Sequence, residues 1–144
     1  TSVITAMLTA TDDAPSGFFY FDDSKTATYT MTITQQAATI NIDQPTISVN
    51  GEYGTATSIV TQAAKVFNAS GAEITDANKP AITYGIDDLT NFDIDTSTGE
   101  LKTKTTTAVG SYKVKVTATA TANEYYKFAT PTSSYTVTVT VVAP

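Results

Sequence analysis

The feature that most constrains the fold of this 144-residue chain is a two-residue alternation of apolar and hydroxyl-bearing side chains. Over 29–34 every second residue is Tyr, Met or Ile and the others are Thr, and a similar alternation recurs over 112–117 and 135–141. Successive side chains of a β-strand point to opposite faces of its sheet, so the apolar set faces a core and the polar set faces solvent. One covered and one solvated face is typical of antiparallel sheets.

Further strand candidates, each bounded by Gly, Pro or Asn turn residues, lie at 3–10, 46–50, 57–67, 81–86, 92–95 and 99–104. Short strands at this spacing predict a β-sandwich, with a barrel as the alternative. The segment 57–67 also fits one face of a helix. Its β-branched residues and its strand-like neighbours favour a strand.

The composition argues against most catalytic chemistry. The chain has no Cys, His, Trp or Arg, and 14 acidic and 8 basic side chains give a net charge of −6. It therefore lacks thiolates, imidazoles, disulfides and the usual zinc ligands. An acidic chain without Arg is also a poor nucleic-acid binder. No apolar run reaches the ~18 residues of a membrane span. We expect a non-enzymatic protein with no nucleic-acid partner, no membrane span in this segment and no cofactor, calcium being the one candidate.

An internal repeat suggests how the chain is organised. TYTMTIT at 28–34 matches SYTVTVT at 134–140, an offset of 135 − 29 = 106, and LTAT at 8–11 matches VTAT at 116–119, an offset of 116 − 8 = 108. An aromatic cluster separates the two matched strands in both copies. The repeat predicts that 1–44 is the closing hairpin of a preceding repeat and that 45–144 is one whole module.

This division has a physical consequence. A lone hairpin is at best marginally stable in water, so 1–44 must pack on its own chain, complete a neighbouring chain or fray. A surplus hairpin with an apolar face is also suited to strand exchange, in which one subunit completes the sheet of the next. The chain starts at Thr1 without a leader, which predicts a processed or excised segment.

FDIDTSTGEL at 92–101, followed by GSYKVKVTATA at 110–120, resembles the bacterial immunoglobulin-like and cadherin-like modules of surface and secreted proteins. The pattern is a strand ending in Phe-x-Ile-Asp, a Thr-Gly turn into Leu, and Gly-x-Tyr with alternating Val. The resemblance covers about 45–144, where 63–75 and 81–86 look like the second and third strands of such a module. It implies an all-β, antiparallel Ig-like or cadherin-like sandwich, here with an extra N-terminal hairpin.

The resemblance also implies a function. Such modules of prokaryotic surface proteins are extracellular, and they space or contact other proteins, neighbouring repeats or like subunits. Two alternatives stay open. One is a filament or pilus subunit joined by strand exchange, which rests on the surplus hairpin. The other is a carbohydrate-binding module with a glycan partner, which rests on the aromatic clusters.

The densest acidic cluster supplies the weak calcium candidates Asp93, Asp95 and Glu100. Calcium needs about six to eight converging oxygens, whereas a turn carboxylate that accepts backbone N–H groups is the commoner use of such residues. Cadherins that hold calcium between domains use an Asp-Arg-Glu motif and an acidic linker. Because this chain has no Arg and its junction at 41–45 carries one acid, we do not expect interdomain calcium of that kind.

The remaining candidates are surface features. The aromatic residues proposed for an interface or for glycan stacking are Phe18, Phe19, Tyr20, Tyr125 and Tyr126. Core closure or an interface is the favoured use, since Trp is absent. Asn68, in the triplet Asn-Ala-Ser, is a candidate N-glycan acceptor. Lys65 would form an isopeptide only if a core Asp faced it.

Overall fold

The structure is a computed structural model that describes the backbone of residues 2–8 and 27–33, and the backbone and side chains of 34–59 and 62–144. The chain divides into two compact units, Thr1–Gln35 and Gln36–Pro144. In the first unit β1 (Ser2–Leu8) pairs antiparallel with β2 (Ala27–Ile33). The predicted N-terminal hairpin is therefore confirmed.

The described residues of the second unit contain no helix, and all of their regular elements are strands. In chain order these are β3 (Gln36–Asn41), β4 (Thr46–Glu52), β5 (Ser58–Ile59), β6 (Lys65–Asn68), β7 (Ile82–Ile86), β8 (Phe92–Ile94), β9 (Leu101–Thr103), β10 (Gly110–Ala120), β11 (Tyr126–Phe128) and β12 (Thr132–Val142).

These strands build a two-layer sandwich. One layer is the sheet β4-β12-β10-β7, and the sheets β11-β3-β6 and β5-β9-β8 form the facing layer. The pairings are antiparallel except for β12 with β4 and β11 with β3. Buried side chains from all three sheets meet in one hydrophobic core. The all-β, Ig-like or cadherin-like sandwich is confirmed, and no sheet of the described residues closes into a barrel.

The alternation in the sequence determines which residues of the main sheet are buried and which are exposed. Along β12, Tyr135, Val137, Val139 and Val141 are buried, whereas the alternate residues are half-buried or exposed. β10 follows the same rule, with alternate valines and alanines in the core. The threonines and lysines of these strands consequently form the outer face of the sheet.

The prediction of one strand over 57–67 is wrong. Ser58–Ile59 and Lys65–Asn68 are separate strands that belong to different sheets. Two tyrosine hydroxyls occupy the interruption: the Ala64 N–H donates to the Tyr84 hydroxyl at 3.0 Å, and the Gln62 N–H donates to the Tyr135 hydroxyl at 3.3 Å. These backbone donors are satisfied without a neighbouring strand, so the ladder can break here.

Sequence reasoning missed β3 and β11. β3 pairs with β6 in the facing layer and β4 pairs with β12 in the main sheet, so the chain crosses between layers over 42–45. The side chain of Gln62 braces this crossing, because it accepts the Gln44 N–H at 2.9 Å and donates to the Gln44 carbonyl at 3.0 Å. The compact unit thus starts with β3 at Gln36, and the assignment of 1–44 and 45–144 to successive repeats stays a prediction.

Tyr112, near the start of β10, contacts both the core and the preceding loop. Its ring packs edge-to-face on Phe92, with centroids 5.8 Å apart, and its hydroxyl donates to the Ala108 carbonyl at 2.9 Å. A Tyr at the start of a strand that bonds back to the preceding loop is a feature of immunoglobulin-like sandwiches. This contact ties the loop before β10 to the core.

Tyr112→Phe should lower the free energy of unfolding by about 1 kcal/mol, because it removes one hydrogen bond and keeps the ring. Urea denaturation would measure the loss. Tyr53→Phe is the matched control, since Tyr53 is 48% exposed and should be neutral. Equal losses in the two variants would contradict the role given to the Tyr112 hydroxyl.

Candidate functional site

The acidic turn between β8 and β9 is built around one carboxylate. The Asp95 Oδ1 accepts the Ser97 N–H at 2.8 Å, the Ser97 hydroxyl at 2.6 Å and the Thr98 N–H at 3.0 Å. Asp favours such turns because its short side chain can bond to the backbone two and three residues ahead. The Ser97 hydroxyl, followed by the Thr98 and Ser97 N–H groups, lowers the pKa of Asp95 to about 2.

We expect this turn to be sensitive to acid. Because the folded pKa of Asp95 lies below the ordinary Asp value of 3.8, its contribution to stability is present above that value and is lost as pH falls toward 2. Asp95→Asn keeps an oxygen acceptor and removes the charge. Denaturant midpoints should therefore differ between variant and parent at pH 6 and converge near pH 2. A difference that stays constant over this range would contradict the prediction.

The other two calcium candidates have separate partners. Asp93 lies 3.5 Å from the Lys104 ammonium, and Glu100 accepts the Ser58 hydroxyl at 2.7 Å and lies 3.2 Å from Lys102. Among the residues that the structure describes, no three carboxylates are grouped as a metal site. These three carboxylates thus act as hydrogen-bond and ion-pair acceptors. Calcium at Asp93, Asp95 and Glu100 stays a prediction.

The second aromatic cluster is divided between core and surface. Tyr126 and Phe128 pack against the core as partly buried residues, whereas Tyr125 is 45% exposed. The cluster lies on β11 and the residue before it, so it does not present a set of exposed rings side by side. Phe18, Phe19 and Tyr20 of the first cluster lie outside the described residues.

Asn68 ends β6 and begins a turn. Its Oδ1 accepts the Ser70 N–H at 3.0 Å, the Ser70 hydroxyl at 2.6 Å and the Ala72 N–H at 3.0 Å, so this side chain organises the turn of the predicted glycosylation triplet. Lys65, the isopeptide candidate, instead forms an ion pair with Asp43 at 2.8 Å. Both side chains of that pair are substantially exposed, which is not the buried setting that an isopeptide requires.

The two ends of the sandwich are surfaces that sequence reasoning missed. The N-terminal pole is the end at which β3 begins, where the Gln36 N–H donates to the Tyr125 carbonyl at 2.7 Å. β10 ends and β12 begins at this same pole. The C-terminal pole is the opposite end, where β4 and β12 finish side by side with Glu52 opposite Val142.

Three exposed apolar residues lie at the C-terminal pole. Tyr53, Val109 and Val142 are 48%, 57% and 46% exposed. Tyr53 follows β4, Val109 precedes β10 and Val142 ends β12. These three strands are adjacent in one sheet. Because the three residues are far apart in the sequence, only the strand register reveals that they lie at the same end of the sheet.

Comparison with known proteins gives the fold and no family. No family model and no curated protein matches the sequence. Among solved structures, the chain is similar to protocadherin gamma B7 extracellular cadherin domains 1–4, with TM-score 0.56 and 17% identity over 83% of this chain and 29% of that one. It is also similar to mouse clustered PcdhgC3 EC1–3, with TM-score 0.58 and 16% identity over 82% of this chain and 38% of that one.

A third structure, the protocadherin gamma B4 extracellular domain, has TM-score 0.57 and 18% identity over 81% of this chain and 18% of that one. The chain therefore spans between about a fifth and two fifths of these structures. At such identities the likeness shows a cadherin-like β-sandwich and nothing about activity. It confirms the cadherin-like resemblance at the level of the fold, whereas a bacterial origin and a particular family have no support in these comparisons.

Proposed function

We propose that this chain is a non-enzymatic structural module of an extracellular or cell-surface protein, which spaces its neighbours and carries tension along its long axis. The observation that carries the proposal is the placement of the two ends of the sandwich. The chain enters at the N-terminal pole through β3 and leaves at the C-terminal pole through β12. Copies joined in series would consequently extend as a rod.

The pairing of β4 with β12 supports the tension-carrying role. The two strands run parallel over seven register pairs, from Thr46 opposite Thr136 to Glu52 opposite Val142. A pull on the start of β4 and on the end of β12 slides the strands lengthwise, so it loads all of their hydrogen bonds together. Such a shear geometry resists force better than one in which bonds open one at a time.

The extracellular setting and the adhesive or spacing role are supported by the cadherin-like fold and by the resemblance to surface modules. A bacterial parent rests on that resemblance alone. In the part of the chain that the structure describes, no helix has the length and apolar character needed to cross a bilayer. Protein partners, including neighbouring repeats, suit this role best.

The two alternative functions stay predictions without a favouring observation. Strand exchange rests on the surplus N-terminal hairpin, and the structure describes its two strands, β1 and β2, as paired with each other. For glycan binding, Tyr125 is the exposed ring of the described cluster. Neither arrangement favours its alternative over the structural role.

A tandem protein tests the spacing role. It consists of the full chain followed directly by a second copy of the compact unit Gln36–Pro144. Since the 11 residues of β12 rise about 3.3 Å each, we expect small-angle X-ray scattering to show a maximum dimension about 35 Å longer than that of the single chain. A much smaller increase would mean that the copies lie side by side, which would refute the proposal.

A further inference from the structure

The main sheet β4-β12-β10-β7 has a long edge strand in β4. β4 contains seven residues, and its register pairs with β12 follow one another without a bulge. The Pro45 carbonyl accepts the Thr136 N–H, and the Tyr53 N–H donates to the Val142 carbonyl, both at 2.9 Å. In a parallel ladder every second residue of a strand bonds to the same neighbour, so the backbone groups of the odd-numbered residues of β4 point toward β12.

The backbone groups of the alternate residues of β4 point away from the sheet. Within the residues that the structure describes, no N–H or C=O group bonds to the main chain of Thr46, Ser48 or Asn50 on this outer side. A row of such groups is a template for the addition of a further strand. Natural proteins often protect such an edge with Lys, Pro or a bulge, and residues 46–51 contain none of these.

The other sheet edges of the second unit, as far as the structure describes them, are short or covered. At the opposite edge of the main sheet, the N–H of Tyr84 in β7 donates to the Thr96 carbonyl at 2.9 Å. β6 forms a bridge between Phe67 and Glu73 on its outer side. β5, β8 and β11 contain two or three residues each. β4 is therefore the long edge of this unit that no described residue covers.

A second copy of β4 fits this edge in one register. If two copies pair antiparallel about Val49, all seven residues of each strand overlap. The residues whose backbone groups point outward then face each other, so that Ser48 of each copy exchanges N–H···O=C bonds with Asn50 of the other. Both copies contribute the same surface, as a two-fold dimer requires.

The side chains of β4 are compatible with this register. On the core-facing side Ile47 lies opposite Gly51 of the other copy, so a large residue meets the smallest one. Ile47 and Val49 are only partly buried at this edge, and pairing would cover more of their surface. Glu52, the charged residue of the strand, lies opposite Thr46. Like charges directly opposite each other, which would destabilise the pair, are thereby avoided.

We propose that β4 is a self-association edge, through which two copies of this chain pair antiparallel about Val49 and join their four-stranded main sheets into one continuous sheet. The inference goes beyond the proposed structural role and does not depend on it. It adds a partner at the side of the module, a second copy of the chain, whereas the spacing role concerns the two ends. Because each copy has a net charge of −6, repulsion opposes the pairing, and salt should strengthen it.

Sedimentation equilibrium of the full chain tests the association. In about 0.5 M salt, which screens the repulsion, we expect the average mass to rise with protein concentration from 15.2 kDa toward twice that value. Ser48→Pro removes one outward N–H and leaves the bonds to β12 in place, and an edge strand tolerates proline at such a position. This variant should be folded by circular dichroism and remain a monomer. Ser48→Thr keeps the N–H and is the matched control, which should associate as the parent does.

Introduced cysteines test the register, because the chain contains none of its own. In the proposed dimer the Cα atoms of the two Val49 residues are about 4.5 Å apart in a non-hydrogen-bonded pair, a distance that a disulfide can bridge. The two Ser48 residues lie on a diagonal about 7–8 Å apart, which is too far. Under mild oxidation Val49→Cys should form a linked dimer at least about tenfold faster than Ser48→Cys, although Ser48 is the more exposed residue.

A full chain that remains monomeric at every concentration would overturn the proposal. A folded Ser48→Pro variant that associates as strongly as Ser48→Thr would also overturn it. If Ser48→Pro fails to fold, Asn50→Pro repeats the test, since the N–H of Asn50 also points outward. Equal or faster linking of Ser48→Cys would contradict the register about Val49. The tandem protein tests the spacing role separately, so the failure of either proposal leaves the other standing.

Discussion

Replacing Phe92 by alanine should lower the free energy of unfolding by about 3–5 kcal/mol, the range measured for removal of a large buried aromatic ring. Phe92 is 0% exposed and forms an edge-to-face contact with Tyr112. Alanine would remove this contact and leave a cavity between the two layers. Since small domains have a total stability of about 5–15 kcal/mol, the variant should be close to unfolding at 25 °C. Chemical denaturation followed by circular dichroism would measure the change.

Two controls separate the ring from its surroundings. Phe92→Leu keeps most of the buried volume, so its loss in free energy of unfolding should be less than half that of Phe92→Ala. Leu89→Ala removes a side chain that is 63% exposed and should change stability by no more than about 0.5 kcal/mol. If Phe92→Ala proved no more destabilising than Leu89→Ala, the core described here would be wrong.

Gly99→Ala should have the second largest effect and lower the free energy of unfolding by about 2–5 kcal/mol. The loss has two causes, a left-handed backbone conformation and overpacking against a neighbouring side chain. Gly99 has a φ of 77°, and a Cβ atom at this position would lie 2.8 Å from Cδ1 of Tyr84. The ring of Tyr84 cannot easily retreat, because its hydroxyl accepts the N–H of Ala64 inside the core. Thermal and urea denaturation would both report the loss.

Gly71→Ala is the matched control for this clash. Gly71 has a φ of 82°, and an added Cβ would meet nothing within 4 Å. Gly71→Ala should therefore lower the free energy of unfolding only by the backbone contribution of about 1–2 kcal/mol. The difference between the two variants isolates the contact with Tyr84. Equal losses would show that the turn, and not the tyrosine ring, requires glycine at position 99.

Strand patterning was readable from the sequence where alternation was long. β10 and β12 each extend over 11 residues, and their apolar positions are the ones that the core buries. The turn at 95–99 was also predictable, because Asp, Ser and Gly each have a local reason to be there. These features depend on neighbours in the chain, which a single sequence displays.

Features that depend on distant partners were not predictable. β3 has only Ala38 and Ile40 as buried apolar residues, and its pairing with β6 and β11 gives it its strand character. The break between β5 and β6 follows from hydroxyls of Tyr84 and Tyr135, which lie about 20 and 70 residues further along the chain. No periodicity reports such contacts. The position of Tyr53, Val109 and Val142 at one end of the sheet was hidden for the same reason.

The carboxylates illustrate how the same residues support different interpretations. Asp93, Asp95 and Glu100 are close in sequence, which suggested one site. In the structure Asp95 serves the turn, while the other two lie near different lysines. Residue types alone do not determine whether oxygen atoms converge. Here β8 ends at Ile94, and the Asp95 carboxylate accepts hydrogen bonds from Ser97 and Thr98 of its own turn.

The claim that the module carries tension between its poles is tested most directly by pulling a single chain at two introduced cysteines. Thr46→Cys with Val142→Cys loads the β4–β12 pair in shear, because these residues lie at opposite ends of the paired region. Glu52→Cys with Val142→Cys opens the same pair from one end, because these two residues are register partners. We expect a clearly higher unfolding force for the first pair than for the second. Equal forces, or a lower force for the first pair, would contradict the tension-carrying role.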